Sequence, residues 1–364
     1  MTSAAAYVQL PPLFAGWMND LFGGPIPDES RATCSDCVMC RPTAESTARH
    51  FRPDTKCCTF YPYLSNYSVG GILNDTSPES DFGRATVEAR IDAKFGVTPL
   101  GLDAPPTFYV LYKNGGNSAF GANRSLRCPH YIEDGGLCGV WRYRNSVCST
   151  WFCQVVRGNI GRDFWSQLLQ LLGEIETTLR LWCVDQLDVG NGPLRYLIAR
   201  NDGKGDVRLT AADLDGESDL ALYHQAWGDR WVGRERELYS EAWRLVSALS
   251  WSDVLQIAGP KVRSLAHLSR EAYADLISES MPNRLRRGSY TVAATEREYI
   301  MLHGAGAAPA DTLPVLAGVV DILPLFDGRR STAEVIMIAK RSGTRLSEWA
   351  VRQLIDFKIL DPAP

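Results

Sequence analysis

The sequence predicts an α+β protein in three parts, as judged from its cysteines, its helical periodicity and its capping signals. Nine of its cysteines fall between Cys34 and Cys153, in a stretch rich in Gly, Pro and Asn with only short strand-like pieces. Apolar residues then recur at helical spacing, and turn and capping signals crowd the end of the chain. We therefore divide the chain into a loop-rich, cysteine-ligated metal-cluster domain (1–158), a mostly α-helical domain (159–283) and a small C-terminal unit (284–364).

Composition limits the classes of function. The chain has 364 residues, 45% of them hydrophobic and 22% charged, which is ordinary globular usage and excludes a disordered chain. Its net charge of −4 argues against a nucleic-acid partner. The N-terminus lacks a basic region and the most apolar stretch is too short to span a bilayer, so we expect a cytoplasmic protein with no membrane partner. Thiols stay reduced there, so a dense cysteine set indicates metal binding or catalysis rather than disulfides.

The first part shows few secondary-structure signals. Alternation over residues 85–91 predicts one strand, and the apolar, aromatic run 107–112 predicts another. Residues 133–136 (EDGG) are a turn signal. Elements this short leave little apolar core, and bound metal can replace part of it.

The middle part is predicted to be helical. Apolar residues at helical spacing predict helices over 163–187, 217–227, 233–256 and 261–280. Gly259 and Pro260 separate the last two, because proline removes a helical hydrogen bond and clashes with the preceding turn.

The C-terminal unit carries local start signals for helices. Ser331 followed by Glu334 is a capping-box pattern, and Ser347 is a candidate cap of the last helix. The basic segment 284–303 predicts a turn followed by a short strand or helix. These signals together predict a compact helical unit.

The cysteines form two groups along the sequence. Cys34, Cys37 and Cys40 follow at two-residue intervals, the spacing with which a tight loop wraps one corner of a cluster in bacterial ferredoxins. Cys57 and Cys58 are adjacent, and neighbouring side chains in an extended chain point opposite ways, so this pair can serve two centres. The candidate metal ligands are Cys34, Cys37, Cys40, Cys57, Cys58, Cys128, Cys138, Cys148 and Cys153.

Thiolates suit both iron–sulfur clusters and zinc. A triple and a pair favour iron–sulfur, since zinc sites usually show two separate CxxC motifs. We expect one or two [4Fe–4S] clusters, with zinc as the alternative. One partition gives the first cluster the triple plus Cys57, Cys58 or Cys128. The second cluster then takes Cys138, Cys148 and Cys153 together with Cys57 or Cys58. One of the nine thiols is left without a cluster.

Two arginines, one histidine and the remote tenth cysteine are further candidates for a role at the metal site. Arg142 and Arg144 lie among the second group, where a cation raises a cluster's reduction potential and can hold an anionic group, so both are candidate cofactor-binding residues. Surface pairing with a carboxylate is the alternative. For His130, a local hydrogen-bonding role is favoured over metal ligation. Cys183 lies in a predicted helix and is expected to be a buried, small apolar residue.

The cysteine spacing resembles a known family. Cys128-Pro129, Cys138, Trp141, Arg144 and Cys148 resemble the second half of the YkgJ-type zinc- or iron-chelating family, and the earlier cysteines resemble its first half. The stretch is also similar to the cysteine-rich part of flagellin lysine N-methylases. Asn145 stands where the family usually has proline. The resemblance covers about a third of the chain and implies metal binding; a lysine methyltransferase-like activity is implied only by the second likeness.

The C-terminal unit resembles small winged-helix-type ends of peptide-modifying enzymes. Leu325, Asp327, Gly328, Arg330 and Glu334 carry this resemblance. Because an electron carrier is usually far smaller, we expect an iron–sulfur enzyme of redox or group-transfer type. Its partners would be a small-molecule or peptide substrate and an electron-donor protein. A zinc-stabilised scaffold that binds a peptide is the alternative. No catalytic residue is identified from the sequence.

Overall fold

The structure is a computed structural model that describes residues 10–32, 34, 36–40, 51–115, 119–202, 209, 211–296, 298–306 and 311–363. It is mixed α+β with small sheets, as the sequence predicts. Across these residues no helix combines the length and the apolar composition that crossing a membrane requires.

The first part of the chain contains five helices and five two-residue strands among its described residues. The helices are α1 (Pro12–Phe22), α2 (Asn66–Asn74), α3 (Asp81–Asp92), α4 (Pro106–Gly115) and α5 (Ser146–Thr150). The strands are β1 (Leu64–Ser65), β2 (Val97–Thr98), β3 (Gly101–Leu102), β4 (Tyr131–Ile132) and β5 (Leu137–Cys138). The sheet order is β1-β3-β2, and β4 pairs with β5 as a hairpin around the predicted turn at 133–136.

Two strands predicted in this part are wrong, because both segments are helical. Residues 85–91 lie in α3, where Gly83, Val87 and Ile91 are buried at four-residue spacing on one face. Residues 107–112 lie in α4, which begins at Pro106, a favoured first residue of a helix. A short apolar run does not by itself distinguish a strand from a helix.

The middle part is helical, as predicted, but several helix boundaries differ, and the sequence pattern predicts no helix over 191–202 or 211–215, where the structure has one. Its helices are α6 (Gly158–Gln186), α7 (Asn191–Asp202), α8 (Ala211–Asp215), α9 (Leu220–Trp231), α10 (Glu235–Ser247) and α11 (Trp251–Ile277). The predicted helix over 233–256 ends at Ser247, and Ser250 starts α11 with a capping box to Asp253. Gly259 kinks α11 with a φ of 73°, next to Pro260.

The C-terminal unit has its own apolar core. Its strands are β6 (Arg284–Arg287), β7 (Tyr290–Glu296), β8 (Tyr299–Gly304), β9 (Leu313–Leu316), β10 (Asp327–Ser331) and β11 (Leu360–Pro362). Its helices are α12 (Ala317–Ile322), α13 (Thr332–Arg341) and α14 (Glu348–Asp356). The sheet orders are β10-β6-β11 and β7-β8-β9. The predicted capping box of Ser331 with Glu334 and the cap at Ser347 are confirmed.

The apolar core continues across residue 158. One core joins α1 to α6 and α11, with Trp17, Leu168 and Val262 buried together. A second joins the small sheet and α2 to α9 and α10, with Leu64 and Trp227 fully buried. The cysteine-bearing loops therefore lie against a helical layer that holds them in place.

Candidate metal centre

Backbone hydrogen bonds hold the N-terminal cysteine loop. The Cys40 amide donates to the Cys37 carbonyl (3.0 Å), which closes a short turn, and the Phe51 amide donates to the Met39 carbonyl (2.7 Å). Phe51 also stacks on Trp151, with ring centroids 6.4 Å apart. Because Trp151 lies two residues before Cys153, these contacts bring the Cys153 segment to the N-terminal loop.

A second framework holds the remaining cysteines. The Cys128 amide donates to the Cys58 carbonyl (2.8 Å), and the Tyr131 amide donates to the Cys128 carbonyl (3.1 Å). Cys138 lies opposite Tyr131 in the β4–β5 hairpin. The Cys148 amide donates to the side-chain oxygen of Asn145 (2.9 Å), which caps α5. Asn145, which departs from the family pattern, thus orients the first turn that carries Cys148.

Electrostatic interactions between thiols group eight of them mainly into two sets, with one interaction between the sets, since Cys34 adds to the rise that burial causes in the pKa of Cys138. In the first set, burial and then hydrogen bonding to Cys37 raise the pKa of Cys40 to about 12, with Cys153 adding to the rise. Burial and then the thiols of Cys37 and Cys34 raise the pKa of Cys153 to about 11. The first set is Cys34, Cys37, Cys40 and Cys153.

The second set gathers around Cys148. Burial raises the pKa of Cys128, and the nearby thiols of Cys138 and Cys148 raise it further. Burial and then Cys58 raise the pKa of Cys138 to about 11, and burial and then Cys138 raise the pKa of Cys148. The second set is Cys58, Cys128, Cys138 and Cys148.

Cys57 interacts with both sets. A hydrogen bond to Cys58 and then burial raise the pKa of Cys57, and the thiols of Cys34 and Cys148 add to the rise. The same hydrogen bond lowers the pKa of Cys58. All ten cysteines are free thiols. Cys183 lies apart, fully buried in the helical core, as predicted.

Two cations lie beside the thiols. Lys56 donates through Nζ to the carbonyls of Cys34 (2.6 Å) and Gly135 (3.2 Å), and thereby joins two cysteine-bearing loops. The Arg144 guanidinium opposes the effect of burial on the pKa of Cys138 and Cys148, and it adds to the hydrogen bond with Cys57 in lowering the pKa of Cys58. Sequence analysis missed Lys56, although it directly precedes the cysteine pair.

Arg142 and Arg144, the predicted cofactor-binding residues, line one cavity of about 90 Å³. Arg144 is 6% exposed; its guanidinium lies 3.4 Å from the centroid of the Trp141 ring and donates to the Cys148 carbonyl (3.0 Å). Arg142 is half-exposed, and its Nε lies 3.8 Å from Asp75 Oδ2. Both arginines therefore line the cavity, and Arg144 also contacts the second set of thiols.

His130 is fully buried and has a defined tautomer. The Thr86 hydroxyl donates a hydrogen bond to the Gly83 carbonyl (2.7 Å). The hydroxyl oxygen of Thr86 therefore accepts a hydrogen bond from the Nδ1–H group of His130 (2.7 Å). Nε2 then carries a lone pair and has no hydrogen-bond partner in the described structure. Burial lowers the pKa of His130 to about 3. A local hydrogen-bonding role accounts for one nitrogen only.

Glu176 is a second buried titratable group that the sequence analysis missed. Its carboxylate accepts from the Ser146 amide (3.1 Å) and the Ser146 hydroxyl. Burial raises its pKa to about 7, against these hydrogen bonds. The sequence feature that could have identified Glu176 is its position on the apolar face of α6, between Leu172 and Leu179.

Within the described residues, no group of three or more Cys, His, Asp or Glu side chains is arranged to hold a metal ion. None of the protein-family models, curated protein sequences or solved structures compared with the chain matches it. The chemistry of the site therefore rests on its own residues: nine thiols in one region, two adjacent cations and a small cavity with a largely apolar lining and two arginines.

Proposed function

We propose that the chain is an iron–sulfur protein whose two sets of thiols each bind a [4Fe–4S] cluster. The observation that supports this proposal is that nine thiols lie in one region and that eight of them interact mainly within two sets of four, the number of ligands that a four-cysteine cubane cluster takes. Cys57 is then the ninth thiol and not a ligand. This partition moves Cys153 to the cluster of Cys34, Cys37 and Cys40.

The spacing of the cysteines along the sequence supports a cluster over a single zinc ion. Zinc sites usually show two separate CxxC motifs, whereas this chain has the triple Cys34, Cys37 and Cys40 and the adjacent pair Cys57 and Cys58. Thiolate ligands suit both kinds of centre, so the spacing is what favours the cluster.

The surroundings of the thiols suit an anionic cluster. Metals bind the thiolate, so loading releases protons that burial otherwise holds on Cys128 and Cys148. Lys56 and Arg144 supply positive charge beside the resulting thiolates. A bound [4Fe–4S] cluster supplies one-electron transfer, and nearby charge and hydrogen bonds set its potential.

An enzyme of redox or group-transfer type accounts for the rest of the chain better than an electron carrier does. The helical layer and the C-terminal unit exceed what a carrier needs, and the cavity at Arg142 and Arg144 offers a place for a reactant. We propose a small-molecule or peptide substrate and an electron-donor protein. The C-terminal unit, proposed to be winged-helix-like, would dock on the helical layer or bind a peptide.

Metal and sulfide analysis tests the proposal directly. Protein purified without oxygen should be brown, absorb broadly near about 400 nm and contain about eight iron atoms and about eight sulfides per chain. About four irons would leave one set unloaded. Stoichiometric zinc without sulfide would refute the iron–sulfur proposal and favour a zinc-stabilised scaffold.

Serine substitutions test the partition. Cys153→Ser and Cys37→Ser should affect the same spectroscopic centre, and Cys128→Ser and Cys148→Ser should affect the other. Cys57→Ser should retain both centres, and so should Cys183→Ala, the matched control away from the site. Electron paramagnetic resonance of the reduced protein, together with iron counts, distinguishes the two centres. Loss of one and the same centre in all four ligand variants would contradict the partition.

A further inference from the structure

The cavity at Arg142 and Arg144 is built from four segments that the sequence separates widely. It is lined by the start of α1 at Phe14, by Ser68 of α2, by the turn that contains Arg142, Tyr143 and Arg144, and by Trp243 of α10. At about 90 Å³ it holds a few water molecules, whereas pockets for whole organic ligands are several times larger. A small ion or one end of a larger molecule fits this volume.

The charges around the cavity favour an anion. Two arginines line it, and Asp75, which lies 3.8 Å from Arg142, already accepts hydrogen bonds from Ser77, Ser80 and Tyr143. Against the effect of burial, these bonds hold the pKa of Asp75 below its usual range. One aspartate against two arginines leaves a net positive charge at the cavity.

Hydrogen-bond donors also face the cavity. Ser68 is 7% exposed and lines the cavity, and its hydroxyl makes no hydrogen bond within the part of the chain that the structure describes. The hydroxyl is open to the cavity, where it can donate to a ligand. Pro12, the first residue of α1, has no amide hydrogen, so the first donors of this helix are the amides of Leu13 and Phe14, which no side chain caps. Helix N-termini of this kind favour negative charge.

We infer that this cavity binds an oxyanion group, a carboxylate or a phosphate, through Arg142, the Ser68 hydroxyl and the start of α1. Arg144 contacts the Cys148 carbonyl, so the bound anion lies one side chain away from the second set of thiols. Only the identification of this anion as part of the substrate rests on the proposed function. Binding of the anion itself does not require a cluster.

Calorimetric titration with inorganic phosphate and, separately, with acetate tests the inference, at ionic strength held constant with chloride. We expect saturable binding of at least one anion, weakened by about tenfold in Arg142→Gln, because charge-assisted hydrogen bonds are the stronger ones. Arg236→Gln is the matched control, since this arginine is also half-exposed and paired with an aspartate, Asp92 (2.6 Å). Ser68→Ala should weaken binding without changing the charge.

The two titrations distinguish the source of the anionic group. Binding of phosphate alone assigns a phosphorylated ligand, and binding of acetate alone assigns a carboxylate; either supports the inference. Absence of saturable binding of both anions, or equal affinity in Arg142→Gln and the native protein, overturns it. Iron and sulfide counted in the same samples separate this result from the proposed function. Protein that binds the anion but contains no cluster would refute the cluster proposal alone.

Discussion

Glu176 illustrates how one residue links the cysteine region to the helical layer. It is buried on α6 and accepts hydrogen bonds from Ser146 at the start of α5, the helix that carries Cys148. Buried charge is costly unless it is compensated, and here the hydrogen bonds compensate only in part. The carboxyl group therefore favours its protonated form more than an exposed glutamate does.

This shift predicts a pH-dependent stability. The folded pKa of Glu176 is about 7 against an unfolded value of 4.5, so its contribution is complete below pH 4.5 and is lost as the pH rises to about 7. In Glu176→Gln this pH-dependent loss of stability should disappear. Between about pH 5 and about pH 8, the free energy of unfolding should therefore fall by about 3 kcal/mol more in the native protein than in the variant. Urea unfolding of both proteins at these pH values measures it. Parallel pH profiles would contradict the prediction.

The sequence predicts a residue's role well where that role depends only on its neighbours along the chain. Ser331 with Glu334 caps a helix through contacts three residues apart, and Cys183 is buried because its helix is amphipathic. The Cys153 partner set was not predictable, since its contact with the N-terminal loop runs through Phe51 and Trp151. Nor could the spacing show that Arg142 and Arg144 share a cavity with Ser68.

At the scale of elements, α2 and α10 pack closely against each other. A Cβ added at Gly70 would overlap the backbone carbonyl of Tyr239, and one at Gly71 would overlap the Tyr143 ring. Only glycine lets the two helices approach to this distance. The sequence offers no sign of this contact, because about 170 residues separate the partners and helix packing is not encoded in local spacing.

Gly70→Ala should therefore destabilise the protein, by about 3 kcal/mol, because overpacking forces the backbones apart. Gly16→Ala is the matched control: Gly16 is also within a helix, α1, but an added Cβ there meets nothing within 4 Å. That control should be neutral or stabilise by up to about 1 kcal/mol. Thermal unfolding of both variants makes the comparison. Equal melting temperatures in the two variants would show that α2 and α10 tolerate a wider spacing.

At the scale of the whole molecule, buried ion pairs join the C-terminal unit to the start of α6. Arg157 donates to Asp356 (Nη2 to Oδ1, 3.1 Å) and Arg162 donates to Asp311 (Nε to Oδ2, 2.7 Å). Both aspartates are fully buried. Arg352 also donates to Asp356 (3.1 Å). Removing one member of such a network leaves a buried charge uncompensated.

Asp356→Asn should cost about 3–5 kcal/mol for this reason and loosen the attachment of the C-terminal unit. Asp327→Asn is the matched control, because Asp327 pairs with Arg330 at the surface, where ion pairs contribute little. Limited proteolysis between residues 277 and 284, together with urea unfolding, measures both effects. Cleavage at the same rate in the two variants would mean that the ion pairs do not hold the unit in place.

The long helix α6 gives these contacts a mechanical consequence. Its 29 residues span roughly 43 Å at 1.5 Å per residue. Arg157, just before its first turn, engages the C-terminal unit, and Glu176, five turns on, engages the start of the helix that bears Cys148. The continuous backbone hydrogen bonds of α6 fix the separation of these two contacts, so α6 sets the distance between the C-terminal unit and the helix that bears Cys148. A displacement of one contact along the helix axis would therefore also move the other.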